Sequence, residues 1–264
     1  MLCDTHAHLN MMGDEKEIEA VIHRAVNGSV SRMISVGIDG DSSKAAVRLA
    51  REYACVYAAV GCHPHHADVC SRSELEEVAG MASQREVVAW GEIGLDFYRD
   101  YASREAQQRI FEDQLAMADE LHLPVIIHDR EAHDAVYATL MKFGKGKNRG
   151  VIHCFSGDLS LAEALMDLGY FISIPGTVTY KNASMVKQVA STIPMDRLLM
   201  ETDAPFLAPV PKRGKRNEPL YVTYTAQEIA GLRGISIDEL ADRTSRNAER
   251  LFGLAPDPAR GDRS

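Results

Sequence analysis

The chain has 264 residues, 45% hydrophobic and 25% charged, with 29 Lys and Arg against 38 Asp and Glu for a formal net charge of -9. These figures exclude a disordered chain and a small disulfide scaffold, and leave two small domains or one large α/β barrel. The acidic total also excludes binding polyanions through bulk charge, so a nucleic-acid partner would need a local basic patch or bound metal.

The five cysteines, Cys3, Cys55, Cys62, Cys70 and Cys154, are odd in number and form no C-x-x-C pair. They read as reduced thiols of a cytosolic protein. The first residues carry no basic region followed by an apolar stretch, and no segment approaches the ~18 apolar residues of a membrane span. A soluble cytoplasmic protein is expected, with no membrane contact and no obligate protein partner.

Taken in chain order, eight short apolar or β-branched runs recur: Leu2 to Thr5, Met33 to Val36, Val56 to Val60, Val87 to Trp90, Val125 to Ile127, Val151 to Ile152, Tyr170 to Ile174 and Leu198 to Met200. Each is followed by a longer stretch that reads as helical. Ser103 is placed to cap a segment in which Ile110, Met117 and Leu121 share one face, with Phe111, Leu115 and Ala118 beside them. After the last run, Asp238 is placed to cap Glu239 to Phe252, where Leu240, Thr244, Ala248 and Leu251 line one side and Gly253 ends the helix. Strands alternating with helices imply parallel pairing through crossovers, and this count and size fit a single-domain (β/α)8 TIM barrel over residues 1–255. Residues 256–264 are expected to fray. A doubly wound open sheet is the alternative, but it gathers its ligand site at one switch point, whereas a barrel draws site residues from strands all around its rim.

The unusual polar residues fall at the ends of many strands. The first run leads into Asp4-Thr5-His6-Ala7-His8, where side chains two apart share a face and two imidazoles can meet one ion. The fourth leads into Gly91-Glu92-Ile93-Gly94-Leu95-Asp96, the fifth into His128-Asp129, the sixth into His153-Cys154 and the eighth into Glu201-Thr202-Asp203-Ala204-Pro205. Any one of these reads equally well as a polar residue hydrogen-bonded at a strand end. Four histidines and two carboxylates at one rim are another matter, because such groups are costly to bury unless paired or metal-bound. As a set they suffice for two divalent ions with positions open to water.

These motifs, with Phe155-Ser156-Gly157 after His153-Cys154, resemble the TatD family of metal-dependent deoxyribonucleases, from residue 4 to about 253. The resemblance implies a (β/α)8 two-metal phosphodiesterase in which His6, His8 and Asp203 hold one ion, His128 and His153 the other, and Glu92 bridges them. No departure from the pattern occurs at these six. It also implies that His63 faces the substrate phosphate, and that Arg213, Lys215, Asn217 and Tyr221 contact DNA from the loop that leaves the eighth strand. Asp203 is then placed to take the proton of the attacking water, and Asp203 and Glu92 are the expected catalytic pair. Mg, Mn and Zn all suit the donors.

Around this core, Asp96 and Arg130 are candidates to orient ligands, although Asp96 reads equally as a cap on the following loop. His65 and His66 have no strand-end position. Cys154 is expected to turn into the core by strand alternation. The stretch of Lys142, Lys145, Lys147 and Arg149 reads as solvated surface, whereas the 212–217 loop leaves the same rim as Asp203 and can reach a phosphate backbone. The expected activity is exonucleolytic hydrolysis of single-stranded or frayed DNA. The alternative is a metal-dependent amide or ester hydrolase, such as an aminoacyl-tRNA deacylase or lactonase. A non-enzymatic binding protein would have no use for so complete a ligand set.

Overall fold

Each apolar run becomes a strand, and several continue into the polar motif that follows. A computed structural model describes residues 1–99, 101–146 and 149–255. In chain order the elements are β1 (Leu2–Ala7), α1 (Glu15–Asn27), β2 (Val30–Val36), α2 (Gly40–Glu52), β3 (Val56–Val60), α3 (Arg72–Ala82), β4 (Val87–Asp96) and α4 (Arg104–Glu120). There follow β5 (Val125–Arg130), α5 (His133–Lys142), β6 (Gly150–Ile152), α6 (Leu159–Asp167), β7 (Tyr170–Ile174), α7 (Ser184–Thr192), β8 (Leu198–Met200), α8 (Val222–Arg233) and α9 (Ile237–Phe252). All strands run parallel in the order β1 to β8. The ring is drawn together by a parallel bridge between Ala7 and Ala204, with the Asp203 N–H donating to the His6 carbonyl at 2.9 Å and the His8 N–H to the Ala204 carbonyl at 2.7 Å. First and last strands are neighbours, which an open doubly wound sheet does not allow, so the architecture is the (β/α)8 barrel. The expected tail, 256–264, and Lys147 lie outside the described residues.

The barrel interior is filled by one or two side chains from each strand, among them Cys3, Ile34, Ala59, Val88, Ile126, Val151, Phe171 and Leu199, and is plugged from below by Ala248, Leu251 and Phe252 of α9. A second apolar layer packs the outer barrel face against the helices. Here the Trp90 indole N–H donates to the Gln114 Oε1 of α4 at 3.1 Å. Burying each large apolar side chain in these layers contributes about 1.5–3 kcal/mol.

Two helix ends differ from the sequence reading. Ser236, not Asp238, caps α9, accepting from the Glu239 N–H at 3.1 Å. Asp238 instead sits in the first turn, where its charge favours the helix dipole. The α9 face of Leu240, Thr244, Ala248 and Leu251 is buried, and Gly253 ends the helix in the left-handed conformation. Ser103 caps α4. That helix stops at Glu120, so Leu121 is exposed and the buried stripe is Ile110, Phe111, Gln114, Leu115 and Ala118.

Two bulges decide which side chains reach the mouth. Leu2 and Ala7 both pack in the outer layer although an odd number of residues apart, and the β1–β2 register slips between Asp4 and Ala7. Trp90 and Ile93 do the same on β4, with a slip against β5 between them. Strict alternation would turn His6 outward with Leu2, and Glu92 outward with Trp90. One extra residue in each strand turns both inward. Gly94 makes the β4 path possible: its φ is +143°, and a Cβ there would lie 2.0 Å from the His128 carbonyl oxygen. Only glycine tolerates both conditions. Among the described residues, no helix is long and apolar enough to cross a membrane.

Candidate metal centre

The upper rim holds a cavity of about 590 Å³ whose lining includes His8, His63, Glu92, His128, His153 and Asp203. His6, fully buried, completes the group from beneath, its ring stacked on His153 at a centroid distance of 3.9 Å. β1 delivers His6, β4 delivers Glu92, β5 delivers His128, and the turns after β1, β3, β6 and β8 deliver His8, His63, His153 and Asp203.

Glu92 stands at the centre with its two oxygens divided. Oε2 faces His6 Nε2 at 3.4 Å and His8 Nε2 at 3.6 Å. Asp203 Oδ1 closes this group, 3.7 Å from His6 Nε2 and 3.5 Å from His8 Nε2. The two imidazole nitrogens are 3.3 Å apart. Oε1 faces His128 Nδ1 at 2.7 Å, His153 Nε2 at 2.8 Å and His63 Nε2 at 3.4 Å. Donor atoms on a tetrahedral cation with bonds of about 2.0–2.1 Å are roughly 3.3 Å apart. The His6, His8, Asp203 and Glu92 spacing matches that edge, so the residues present fit a divalent ion. The second group, with His128 Nδ1 and His153 Nε2 3.3 Å apart, fits another.

The far nitrogens fix which lone pairs point inward. His8 Nδ1 lies 3.1 Å from the Val36 carbonyl, His128 Nε2 lies 3.1 Å from Asp96 Oδ2, and His153 Nδ1 lies 3.3 Å from Glu201 Oε1. Each acceptor demands an N–H, so the other nitrogen of each ring offers its lone pair to the centre, the usual support for metal-ligating histidine. His63 is wired the opposite way. Its Nδ1 accepts the His65 backbone N–H at 3.1 Å, so the neutral ring carries its proton on Nε2 and aims a donor into the cavity. Burial, with His128 and His65 nearby, pushes its pKa down to about 3, so the ring stays neutral.

The electrostatics show a centre short of positive charge. Burial opposes ionisation of Glu92, but His153 and His63 and hydrogen bonds from His128 and His153 hold the carboxyl well below the usual range. Asp203 is lowered against burial by the His8 hydrogen bond and by His6. In return His153 is driven well above its ordinary value, burial being outweighed by Glu92 and Glu201. His8 and His128 rise against burial through their carboxylate partners. His6 is lowered by burial and by His153. In the absence of cations, protons on these rings balance the carboxylates, a role that bound cations would take over.

Glu201 is a site residue that reading the sequence for ligands missed. It is fully buried, faces His153 Nδ1, accepts the Cys154 N–H at 2.6 Å, and leaves its Oε2 without a hydrogen-bond partner. The available signal was spacing: it lies two residues before Asp203 and shares its parity with Leu199 in the lumen. Glu201→Gln is expected to weaken metal binding by roughly 10- to 100-fold by loosening His153. Calorimetric metal titration checks this, and a change within twofold would remove Glu201 from that role.

Other expectations are corrected. Cys154 does not turn into the core: β6 ends at Ile152, alternation ends with it, and a φ of +47° places Cys154 at the cavity wall, with burial pushing its thiol well up. Asp96 holds His128 and also His65, 2.8 Å away, so His65 touches the site through it. His66 lines the outer part of the cavity and lies 3.9 Å from Asp39. Among the described residues Arg130 makes no hydrogen bond to a ligand side chain; its guanidinium, at the cavity wall, lies 4.1 Å from the Tyr98 ring centroid.

The four residues expected to contact DNA do not line the cavity. Arg213 lies over the Tyr180 ring at 4.6 Å, and Tyr221 receives Lys212 at 5.2 Å. Lys215 is exposed on the same loop. Asn217 is fully buried, donating to the carbonyls of Thr202 at 2.8 Å and Phe206 at 2.6 Å. Its amide is spent pinning the loop to the segment that follows β8, which leaves it no face for substrate. Asn217→Ala strands two buried carbonyls and is expected to cost about 1–3 kcal/mol of stability. An unchanged denaturation midpoint would contradict that role.

Fold and site together define a metal-dependent hydrolase on a (β/α)8 barrel. The family model of TatD related DNase matches residues 3–253, and the chain belongs to that family. It is 42% identical over 254 residues to the uncharacterized metal-dependent hydrolase YabD of Bacillus subtilis, covering 96% of this chain and 100% of that protein. It is 38% identical over 245 residues to the 3'-5' ssDNA/RNA exonuclease TatD of Erwinia amylovora, covering 90% and 95%. The crystal structure of YJJV, a TatD homologue from Escherichia coli K12, superposes with a TM-score of 0.90 at 34% identity, covering 96% of this chain and 98% of that one.

Proposed function

We propose that this chain is a two-metal phosphodiesterase that removes nucleotides from the end of single-stranded DNA, working in the cytoplasm. The observation that carries the proposal is the division of Glu92, one oxygen to each histidine group, at the head of a barrel whose mouth is open. His6, His8, Glu92 and Asp203 would hold one ion, and Glu92, His128 and His153 the other. Divalent cations there supply Lewis acidity to water and phosphate oxygens.

The chain's own groups do the rest. Asp203, a carboxylate lining the cavity, receives the proton of the attacking water. His63 donates its Nε2–H to a phosphate oxygen, a contact that its wiring to His65 reserves for an acceptor. Asp96 and Glu201 hold the His128 and His153 rings so that neither swings as charge develops.

The test is cleavage of end-labelled single-stranded DNA by protein stripped with chelator and resupplied with Mg²⁺, Mn²⁺ or Zn²⁺. Metal-dependent shortening from one end supports the proposal. No cleavage under any of the three, alongside turnover of an ester, lactone or aminoacyl substrate panel, would replace it with the amide or ester hydrolase reading.

A further inference from the structure

We infer that the arm between β4 and α4, carrying Tyr98, Arg99 and Tyr101, forms with Arg130 at the end of β5 a subsite that holds an unpaired nucleic-acid strand beside the metal centre; this rests on the nuclease reading above. The first ground is charge. Among the described residues that line the cavity, Arg99 and Arg130 are the only Lys or Arg side chains. The basic loop at 212–217 sends none there.

The second ground is exposed aromatic surface where packing gives no reason for it. Tyr98 is 52% exposed and Tyr101 64%. Arg130 lies 4.1 Å from the Tyr98 ring centroid, and Arg99 lies 5.4 Å from Tyr98 and 5.9 Å from Tyr101. Tyr101 also meets His65 edge to face at 4.8 Å. Across the mouth, Phe206, 51% exposed, stands edge-on to His8 at 5.9 Å. Interleaved guanidinium groups and ring faces suit a strand whose bases are free to stack and whose phosphates need cations. A duplex buries its base faces and offers nothing to the rings.

The third ground is anchorage. Asp96, fully buried, accepts the backbone N–H of Tyr98 at 3.0 Å and of Arg99 at 2.9 Å on Oδ1, while Oδ2 takes His128 and His65. One carboxylate therefore sets both the orientation of a metal-facing histidine and the position of the arm. A nucleotide stacked on the arm is held at a fixed offset from the centre.

The experiment uses the full chain with chelator present, so that binding is read without cleavage, and a fluorescein-labelled oligothymidylate followed by anisotropy over a salt series. The double variant Arg99→Ala, Arg130→Ala should bind more weakly and lower the magnitude of the log–log salt slope by about 1.4, two phosphates at about 0.7 each. Tyr101→Leu should weaken binding by roughly 5- to 150-fold with the slope unchanged, and Tyr101→Phe should restore it. Wild-type slope and affinity in all these variants, or a slope that falls only with Arg213→Ala, would overturn the subsite. Equal affinity of the wild type for duplex would overturn it as well. If the metal-loaded wild type cleaves no DNA yet these variants shift binding as stated, the nuclease reading fails and the subsite stands.

Discussion

Glu92→Gln is expected to lower kcat/KM on a phosphodiester substrate by roughly 10³-fold while leaving a cooperatively folding barrel. The side chain is 3% exposed and faces five histidines, and its two oxygens serve both ligand groups. Glutamine keeps the shape but removes the negative charge and one acceptor, so the two cations lose their common anion. Charge stabilisation at such a centre is worth several kcal/mol, and at 1.36 kcal/mol per decade about 4 kcal/mol gives that factor. The fold should survive because the substitution adds no volume and Gly91 and Gly94 still set the path of β4. Steady-state kinetics and thermal unfolding on the same preparation check both halves, and activity within tenfold of wild type would end the bridging role.

Chelation should lower the melting temperature as well as abolish activity. The ligands come from β1, β4, β5 and the turns after β1, β6 and β8, so a bound cation ties non-adjacent strands together at the rim. Metal at 100 times its Kd stabilises the folded state by about 2.7 kcal/mol per site. A barrel of this size should then melt roughly 5–10 °C higher for each site filled, at about 2–4 °C per kcal/mol. The increment should shrink in Glu92→Gln and saturate near two ions per chain by elemental analysis. Equal melting temperatures with and without metal would show that these residues hold no ion tightly.

The barrel was legible because each run of apolar residues has a burial role that period and length reveal. The Glu201 to Pro205 and Asp4 to His8 motifs stood out because charge and imidazole at strand ends are costly unless something pairs them. Proximity in sequence to the rim did not by itself place side chains in the cavity. Lys212 to Asn217 leave the rim beside Asp203, yet the loop folds back: Arg213 goes to Tyr180, Arg216 donates to the Met12 carbonyl and pairs with Glu17, and Asn217 bolts the loop beneath. Of the cations that reach the cavity, Arg130 stood out only as a candidate to orient ligands, and Arg99 gave no signal. Cys154 was misplaced because alternation was carried two residues past the strand's end.

By itself the sequence determined that the chain is a parallel α/β barrel with imidazole and carboxylate groups at the strand ends, since hydrophobic period and residue chemistry are local properties. It could not determine which way those groups point. His6 shares its parity with outward-facing Leu2, and Glu92 with outward-facing Trp90. Only the bulges on β1 and β4 bring them inside. A bulge is a property of two paired strands, since it exists where neighbouring registers disagree by one residue. The tertiary structure therefore decided the metal centre, along with the wiring of each ring through Val36, Asp96 and Glu201, because each of those contacts joins residues far apart in the chain.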